Sequence, residues 1–149
     1  MYALAKQLDG QTYLEGTYLE AALNAVIKLC RNDEKFAFLK DAKIETFFND
    51  KSDKTIENVK HLIHKHDFLQ VGFNIDEGWY DCTNTNYILK ARGRSCGGHA
   101  VNLCGYDSAG FYVLNQWGTE FGSKGYAVMP YQLFLQQFMY GAYICNYTV

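Results

Sequence analysis

His99 and Asn115 are the residues whose types and spacing best suit chemistry in this sequence. His99 begins the apolar run HAVNLCGY, Asn115 ends the run FYVLN, and the loop DSAG at 107–110 between them predicts a two-stranded hairpin. Side chains alternate along a strand, so the hairpin brings the imidazole and the amide to the same end of the sheet. An amide oxygen that accepts from one imidazole nitrogen fixes the tautomer and leaves the other nitrogen to exchange a proton.

General acid–base catalysis is therefore one interpretation of this pair. The other is a structural histidine whose ring is satisfied in the core, and strand geometry taken alone favours this second interpretation. The residues around the pair help to distinguish between them.

The segment 96–129 resembles the C-terminal half of papain-like cysteine peptidases. Four pieces of that family's pattern occur in the family's order: GHAV at 98–101, GYD at 105–107, NQWG at 115–118 and GY at 125–126. Four pieces in order are a specific match, whereas an isolated Gly-His pair would carry no information. The resemblance implies an α+β papain-like fold, with an antiparallel sheet or barrel packed with helices.

The same resemblance assigns roles to individual residues. It implies that His99 is the general base and acid of peptide-bond hydrolysis, that Asn115 orients it, and that Trp117 shields their hydrogen bond from water. Gly98 is expected to support the histidine, and no cofactor is implied. Gln116 departs from the family's usual serine, at a position that does no chemistry.

The nucleophile of that family is a cysteine at the start of a long helix, where the helix N-terminus and the histidine stabilise its thiolate. No comparable segment precedes His99 in this sequence. Cys30 falls near the C-terminal end of a predicted helix, where the helix dipole opposes a thiolate, and it is predicted to be a core residue. We therefore expect the chain to begin just downstream of the family's nucleophile, and the isolated chain to be inactive.

Cys96 and a group of histidines are weaker candidates for chemistry. Cys96 lies three residues before His99 across two glycines, and strand geometry favours a thiol at the cleft rim over a reactive one. His61, His64 and His66 lie on a predicted helix without converging on one face, and the cysteines lack the paired spacing of zinc sites. No metal site is therefore predicted.

Three aromatic residues, Trp79, Tyr80 and Tyr87, lie in the polar run 74–90. By resemblance to the family, this run flanks the substrate cleft. The rings either contact a peptide at the cleft rim or pack on the core, and the sequence leaves both interpretations open.

Hydrophobic periodicity predicts the elements that must position these residues. The predicted helices span 2–8, 18–30, 54–65 and 131–138, and the predicted strands span 43–48, 69–75, 99–106, 111–115, 125–129 and 141–147. Thr17 and Glu20 have the spacing of a capping box, and Ser52 or Asp53 is the expected cap of the third helix. Residues 76–98 are predicted to be a long, turn-rich stretch. Helices that precede mostly antiparallel strands are typical of the α+β class.

Length and composition narrow the function classes. The 149 residues are predicted to form a single domain, 1–149, with a net charge of −2 and a pI near 6.0. This charge argues against binding to nucleic acid or to a membrane surface. The start of the chain lacks the layout of a secretory signal, and an odd number of cysteines favours reduced thiols, so a cytoplasmic or other intracellular location is expected.

Functions from different classes remain open. In the first, the chain is the C-terminal portion of a working peptidase that acts on a peptide or protein and receives its N-terminal lobe from another segment or in trans. In the second, it is a catalytically dead binding, inhibitory or assembly module, whose exposed apolar surface favours a partner or a homo-oligomer. A thiol transferase or amidase on the same scaffold is a third.

Overall fold

A computed structural model of the chain describes residues 1–11 and 15–146. Within these residues the α-helices are α1 (Tyr2–Asp9), α2 (Leu19–Cys30), α3 (Asp53–His66) and α4 (Tyr131–Gln137). The strands are β1 (Lys43–Phe48), β2 (Leu69–Asp76), β3 (Ser95–Tyr106), β4 (Phe111–Leu114), β5 (Tyr126–Met129) and β6 (Phe138–Cys145). Two segments, Glu34–Leu39 and Glu77–Thr85, form 3₁₀ helices.

The strands form one sheet in the order β1-β6-β2-β3-β4-β5. Pairing is antiparallel from β2 to β3, from β3 to β4 and from β4 to β5. Helices combined with an antiparallel sheet confirm the predicted α+β class. No helix in the described part of the chain is long and apolar enough to cross a membrane.

The chain divides into two compact units. One is Phe47–Gly141, and the other is Met1–Thr46 together with the residues from Ala142 onward. The single-domain organisation proposed for 1–149 stays a prediction.

The unit Phe47–Gly141 has an interior of large apolar side chains. Alternation along each strand turns every second residue inward, and the fully buried ones include Leu69, Val71, Phe73, Leu103, Phe111, Val113 and Phe134. Helix α3 begins with the predicted Ser52 cap, whose hydroxyl accepts from the Lys54 amide. Its apolar stripe, formed by Ile56, Val59 and Ile63, is buried, with Val59 fully enclosed.

The other unit is filled by smaller side chains. One cluster joins Ala5 of α1 to Ala21 and Ala25 of α2, and alanines allow the two helices to approach closely. A second cluster contains Ile27 and Leu39, with the half-buried Cys30 packed against it. Cys30 therefore packs on the core at the last residue of α2, as the sequence predicts.

The capping box predicted at Thr17 and Glu20 is wrong. Helix α2 begins at Leu19, after Tyr18, and no side chain caps it. The Thr17 hydroxyl instead donates to the Asp9 carboxylate over 2.6 Å. A carboxylate accepts more strongly than neutral groups do, and this bond is the main reason that the pKa of Asp9 is lowered.

Residues 76–98 contain more regular structure than the turn-rich prediction allows. The Asp76 carboxylate accepts from the Gly78 amide over 2.8 Å and so caps the 3₁₀ helix Glu77–Thr85. The sequence pattern did not predict this helix. Strand β3 already begins at Ser95, and β6 begins at Phe138, directly after α4. The predicted end of the last strand, at residue 147, lies outside the described residues.

Candidate active site

His99 lies in β3, opposite Phe73 of β2, and is half-buried. The imidazole Nε2 lies 2.9 Å from the side-chain oxygen of Asn115, which directly follows β4. The hairpin of β3 and β4 thus brings the two predicted residues together at one end of the sheet.

The orientation of the Asn115 amide follows from its neighbours. The backbone N–H of Gln116 donates to Asn115 Oδ1 over 2.9 Å, so the oxygen faces both this amide and His99. Since a carbonyl oxygen only accepts, Nε2 carries the proton of the neutral imidazole and donates it to Asn115. The second ring nitrogen, Nδ1, is thereby left as the basic one.

Asn115 is itself enclosed, with 5% of its surface exposed. Its Nδ2 has no hydrogen-bond partner within the described residues, although it is fully buried. A buried donor without an acceptor costs stability, which is typical of a position that is tuned for more than packing.

Trp117 lies against the His99 ring. The two ring centroids are 4.6 Å apart and their planes are inclined by 31°. Trp117 also stacks on Tyr80 with centroids 5.1 Å apart and planes within 3° of parallel, and it meets Trp79 and Phe121 at steeper angles. The bond between His99 and Asn115 therefore lies beside an aromatic surface.

Trp79 is the residue at this site that sequence reasoning left unresolved. It is fully buried, and its ring meets His99 edge-on with centroids 5.9 Å apart. It also packs on Phe73 and Phe121. The sequence signal was the tryptophan directly after a glycine that follows an apolar strand. By contrast, Tyr80 and Tyr87 are exposed, so the three aromatics of this run divide between core and surface.

Gln116 and the paired glycines complete the surroundings of His99. The Gln116 amide donates to the carbonyl of Ala100 over 3.1 Å, so this departure from the family's serine ties the end of β4 to the residue after His99. Gly97 has a φ of +98°, which a residue with a side chain rarely adopts, at a register shift between β2 and β3. A Cβ at Gly98 would meet no described atom within 4 Å.

The thiols differ strongly in their surroundings. Cys96 is exposed on β3, and its Sγ lies 3.6 Å from the Arg94 carbonyl oxygen. Burial raises the pKa of the Cys82 thiol to about 11, and it also raises the pKa of Cys104. Cys30 is half-buried at the C-terminal end of α2, and Cys145 is buried.

The three clustered histidines lie along the C-terminal half of α3. His61 and His64 are exposed, whereas His66 is half-buried. Among the described residues, no group of three or more His, Cys, Asp or Glu side chains is arranged to hold a metal ion.

The sheet brings a histidine and an asparagine together at one end, and an indole lies against the histidine. This arrangement is typical of the papain-like fold. The sequence matches the papain family of cysteine proteases over residues 5–136. The chain therefore belongs to this family.

Individual relatives agree with this assignment. The chain is 31% identical over 121 residues to an uncharacterised peptidase C1-like protein of Acanthamoeba polyphaga mimivirus, covering 77% of this chain and 35% of that protein. It is 35% identical over 77 residues to the cathepsin B-like cysteine proteinase 5 of Caenorhabditis elegans, covering 49% of this chain and 22% of that protein. The chain thus spans about a third or less of the length of these curated relatives.

A solved structure supports the fold. Xylellain, a cysteine protease from Xylella fastidiosa, superimposes with a TM-score of 0.57 at 23% identity, covering 70% of this chain and 40% of xylellain. At this level of identity, the similarity concerns the fold alone.

Proposed function

We propose that this chain carries the acid–base half of a papain-type peptidase site, with His99 as the group that moves protons. The observation that carries the proposal is the 2.9 Å contact between His99 Nε2 and Asn115 Oδ1, beside the face of Trp117. This contact holds the imidazole in the tautomer that leaves Nδ1 basic. Family membership and the matching motif around both residues support the same role.

The chemistry would use Nδ1 twice in each half-reaction. Nδ1 takes the proton of a cysteine thiol, and the thiolate attacks the peptide carbonyl. The imidazolium then returns the proton to the leaving amine, so that the C–N bond breaks and a thioester remains. In the second half, Nδ1 takes a proton from water, the hydroxide attacks the thioester, and the proton passes to the departing thiolate.

We further propose that the nucleophilic thiol is not one of this chain's own. Cys82 and Cys104 have a raised pKa because of burial, which disfavours the thiolate. Cys30 lies at the C-terminal end of α2, where the helix dipole also disfavours it. Cys145 is buried, which leaves the exposed Cys96 as the alternative nucleophile within the chain.

A single-chain fusion tests both parts. The nucleophile-bearing N-terminal lobe of xylellain is placed ahead of residue 1, and peptide hydrolysis is compared between the fusion and the chain alone. We expect no hydrolysis by the chain alone, and hydrolysis by the fusion that falls by about 10²–10⁴-fold in His99→Ala. The matched control is His64→Ala, an exposed histidine of α3, which should leave the rate unchanged.

Two results would contradict the proposal. One is a fusion whose hydrolysis rate is the same with His99 or alanine at this position. The other is His99-dependent hydrolysis by the chain alone, which would place the nucleophile among its own cysteines. Cys96→Ser in the chain alone would then identify or exclude the one exposed thiol.

A binding or assembly module is the second candidate function. The observation in its favour is the exposure of large apolar side chains, with 70% of Phe48 and 57% of Phe68 accessible. Sedimentation of the chain alone tests it against Phe48→Ser and Phe68→Ser. Self-association that both substitutions abolish favours this candidate, whereas a monomer at all concentrations counts against it.

A further inference from the structure

Trp79 is anchored through a chain of hydrogen bonds that the catalytic proposal does not use. Its indole Nε1 donates to Gln137 Oε1 over 2.8 Å, and Gln137 Nε2 donates to Asp76 Oδ2 over 2.8 Å. Trp79 is fully buried and Gln137 is 7% exposed. The two residues belong to a 3₁₀ helix and to α4, far apart in sequence.

The Asp76 carboxylate fixes Trp79 through two routes. Oδ1 accepts from the backbone N–H of Gly78, which precedes Trp79, and so places its main chain. Oδ2 holds Gln137, which in turn holds the indole. A Cβ at Gly78 would lie 1.9 Å from the carbonyl oxygen of Lys90, so the main chain passes here where no side chain fits.

The direction of each bond is determined by chemistry. An indole N–H only donates and a carboxylate oxygen accepts, so the Gln137 amide must present its oxygen to Trp79 and its nitrogen to Asp76. Flipping this amide would break both bonds in a buried place, at a large cost. The plane of the Trp79 ring is therefore held firmly.

The imidazole of His99 contacts both this anchored indole and Trp117, and the two indoles also contact each other, with ring centroids 6.4 Å apart. The hydrogen bond to Asn115 restrains the Nε2 atom, and the remaining freedom of the ring is rotation about the Cα–Cβ and Cβ–Cγ bonds. The edge-on contact of Trp79 and the face of Trp117 restrict that rotation. The position of Nδ1 then depends on Trp79 as well as on Asn115.

We infer that Trp79, anchored by Gln137 and Asp76, is a positioning residue that sets the ring plane of His99. This inference rests on the proposed function only in taking His99 as the group that moves protons. The geometric part concerns the chain by itself and is measurable without turnover.

The test compares Trp79→Phe, Gln137→Leu and the double variant in the full chain. The ring-proton resonances of His99 in NMR spectra report its position relative to the two indoles. We expect each single substitution to shift and broaden these resonances, and the double variant to add little, because both remove the same anchor. In the xylellain fusion, we expect Gln137→Leu to lower kcat about tenfold or more while KM changes little.

Val59→Ala is the matched control, since Val59 is fully buried in α3 and its truncation destabilises the same unit. Resonances of His99 that are the same in Gln137→Leu and Val59→Ala would overturn the inference and leave Gln137 a purely structural role. If Gln137→Leu does not fold, Gln137→Met gives the same comparison, because it also removes both hydrogen bonds and leaves the Trp79 ring in place. Shifted resonances together with a fusion that never hydrolyses peptide would uphold the positioning and sink the proposed function instead.

Discussion

The two compact units of this chain differ in what fills them. Phe47–Gly141 encloses large rings, with Phe73, Trp79, Phe111 and Phe134 fully buried. The unit that contains α1 and α2 relies on alanines and on a small cluster around Ile27. Large rings make many contacts and leave few alternative packings, so they specify a single arrangement more firmly.

The candidate site lies entirely in the unit that contains the large buried rings. His99, Asn115, Trp117 and Trp79 all belong to Phe47–Gly141. Every contact described for the imidazole therefore comes from the unit that contains the large buried rings. A preorganised acid–base group needs that kind of support.

The largest expected effect comes from opening the aromatic interior. Phe134 contacts Phe73, Phe111 and Phe138, so Phe134→Ala should destabilise the unit by about 3–5 kcal/mol. Both tryptophans lie in this unit, and their fluorescence during urea unfolding reports on it selectively. Leu39→Ala in the other unit is the control. An equal loss in the fluorescence transition for both substitutions would remove the distinction between the units.

The next effect is a difference in thiol reactivity between the interior and the surface of Phe47–Gly141. At neutral pH we expect Ellman's reagent to react with Cys96 at least about 100-fold faster than with Cys82, because Cys82 is buried with a pKa of about 11. Cys96→Ser should remove the fast phase, and Cys82→Ala should leave it intact. A fast phase that survives Cys96→Ser would show that a second thiol is accessible.

A smaller effect on folding stability is expected when the pH is lowered. Hydrogen bonds, first from the Thr55 hydroxyl and then from Ser52, lower the pKa of Asp50 from 3.8 to about 2. A lowered folded pKa contributes stability that is present above the unfolded value and is lost as the pH falls through the folded one. The start of α3 should therefore lose stability as the pH falls from 3.8 to about 2. Urea midpoints at several pH values should show this slope, and a slope that persists in Asp50→Asn would assign it to another group.

The smallest effect is expected on the exposed side of the site. Tyr80 is 65% exposed and stacks on Trp117, so Tyr80→Ala should cost about 1 kcal/mol or less. Trp117 should then show red-shifted emission, while the His99–Asn115 bond remains. A loss comparable to that of Phe134→Ala would mean that Tyr80 supports the interior.

The sequence predicted this site best where local pattern and tertiary structure agree. Alternation along each strand and the short loop at 107–110 predicted the hairpin that joins His99 to Asn115. The burial and anchoring of Trp79 could not be predicted from the sequence, because its hydrogen-bond partner Gln137 lies 58 residues away. A tryptophan in a polar run does not reveal whether a distant amide will satisfy its N–H.

The wrong prediction at Thr17 has a related cause. The spacing from Thr17 to Glu20 met the local rule, but the charged side chain of Asp9 offered a stronger acceptor. Local rules predict which bonds a residue is able to make, whereas the fold decides which partner comes within reach.

The tautomer of His99 is the most direct test of the account. Long-range ¹H–¹⁵N spectra of the chain at about pH 8.5, where imidazoles are neutral, distinguish Nε2–H from Nδ1–H. We predict that His99 is held as Nε2–H, unlike the exposed His61 and His64, and that Asn115→Ala releases it to the mixture of tautomers seen for those two. A His99 protonated on Nδ1, or a tautomer ratio that Asn115→Ala leaves unchanged, would contradict it.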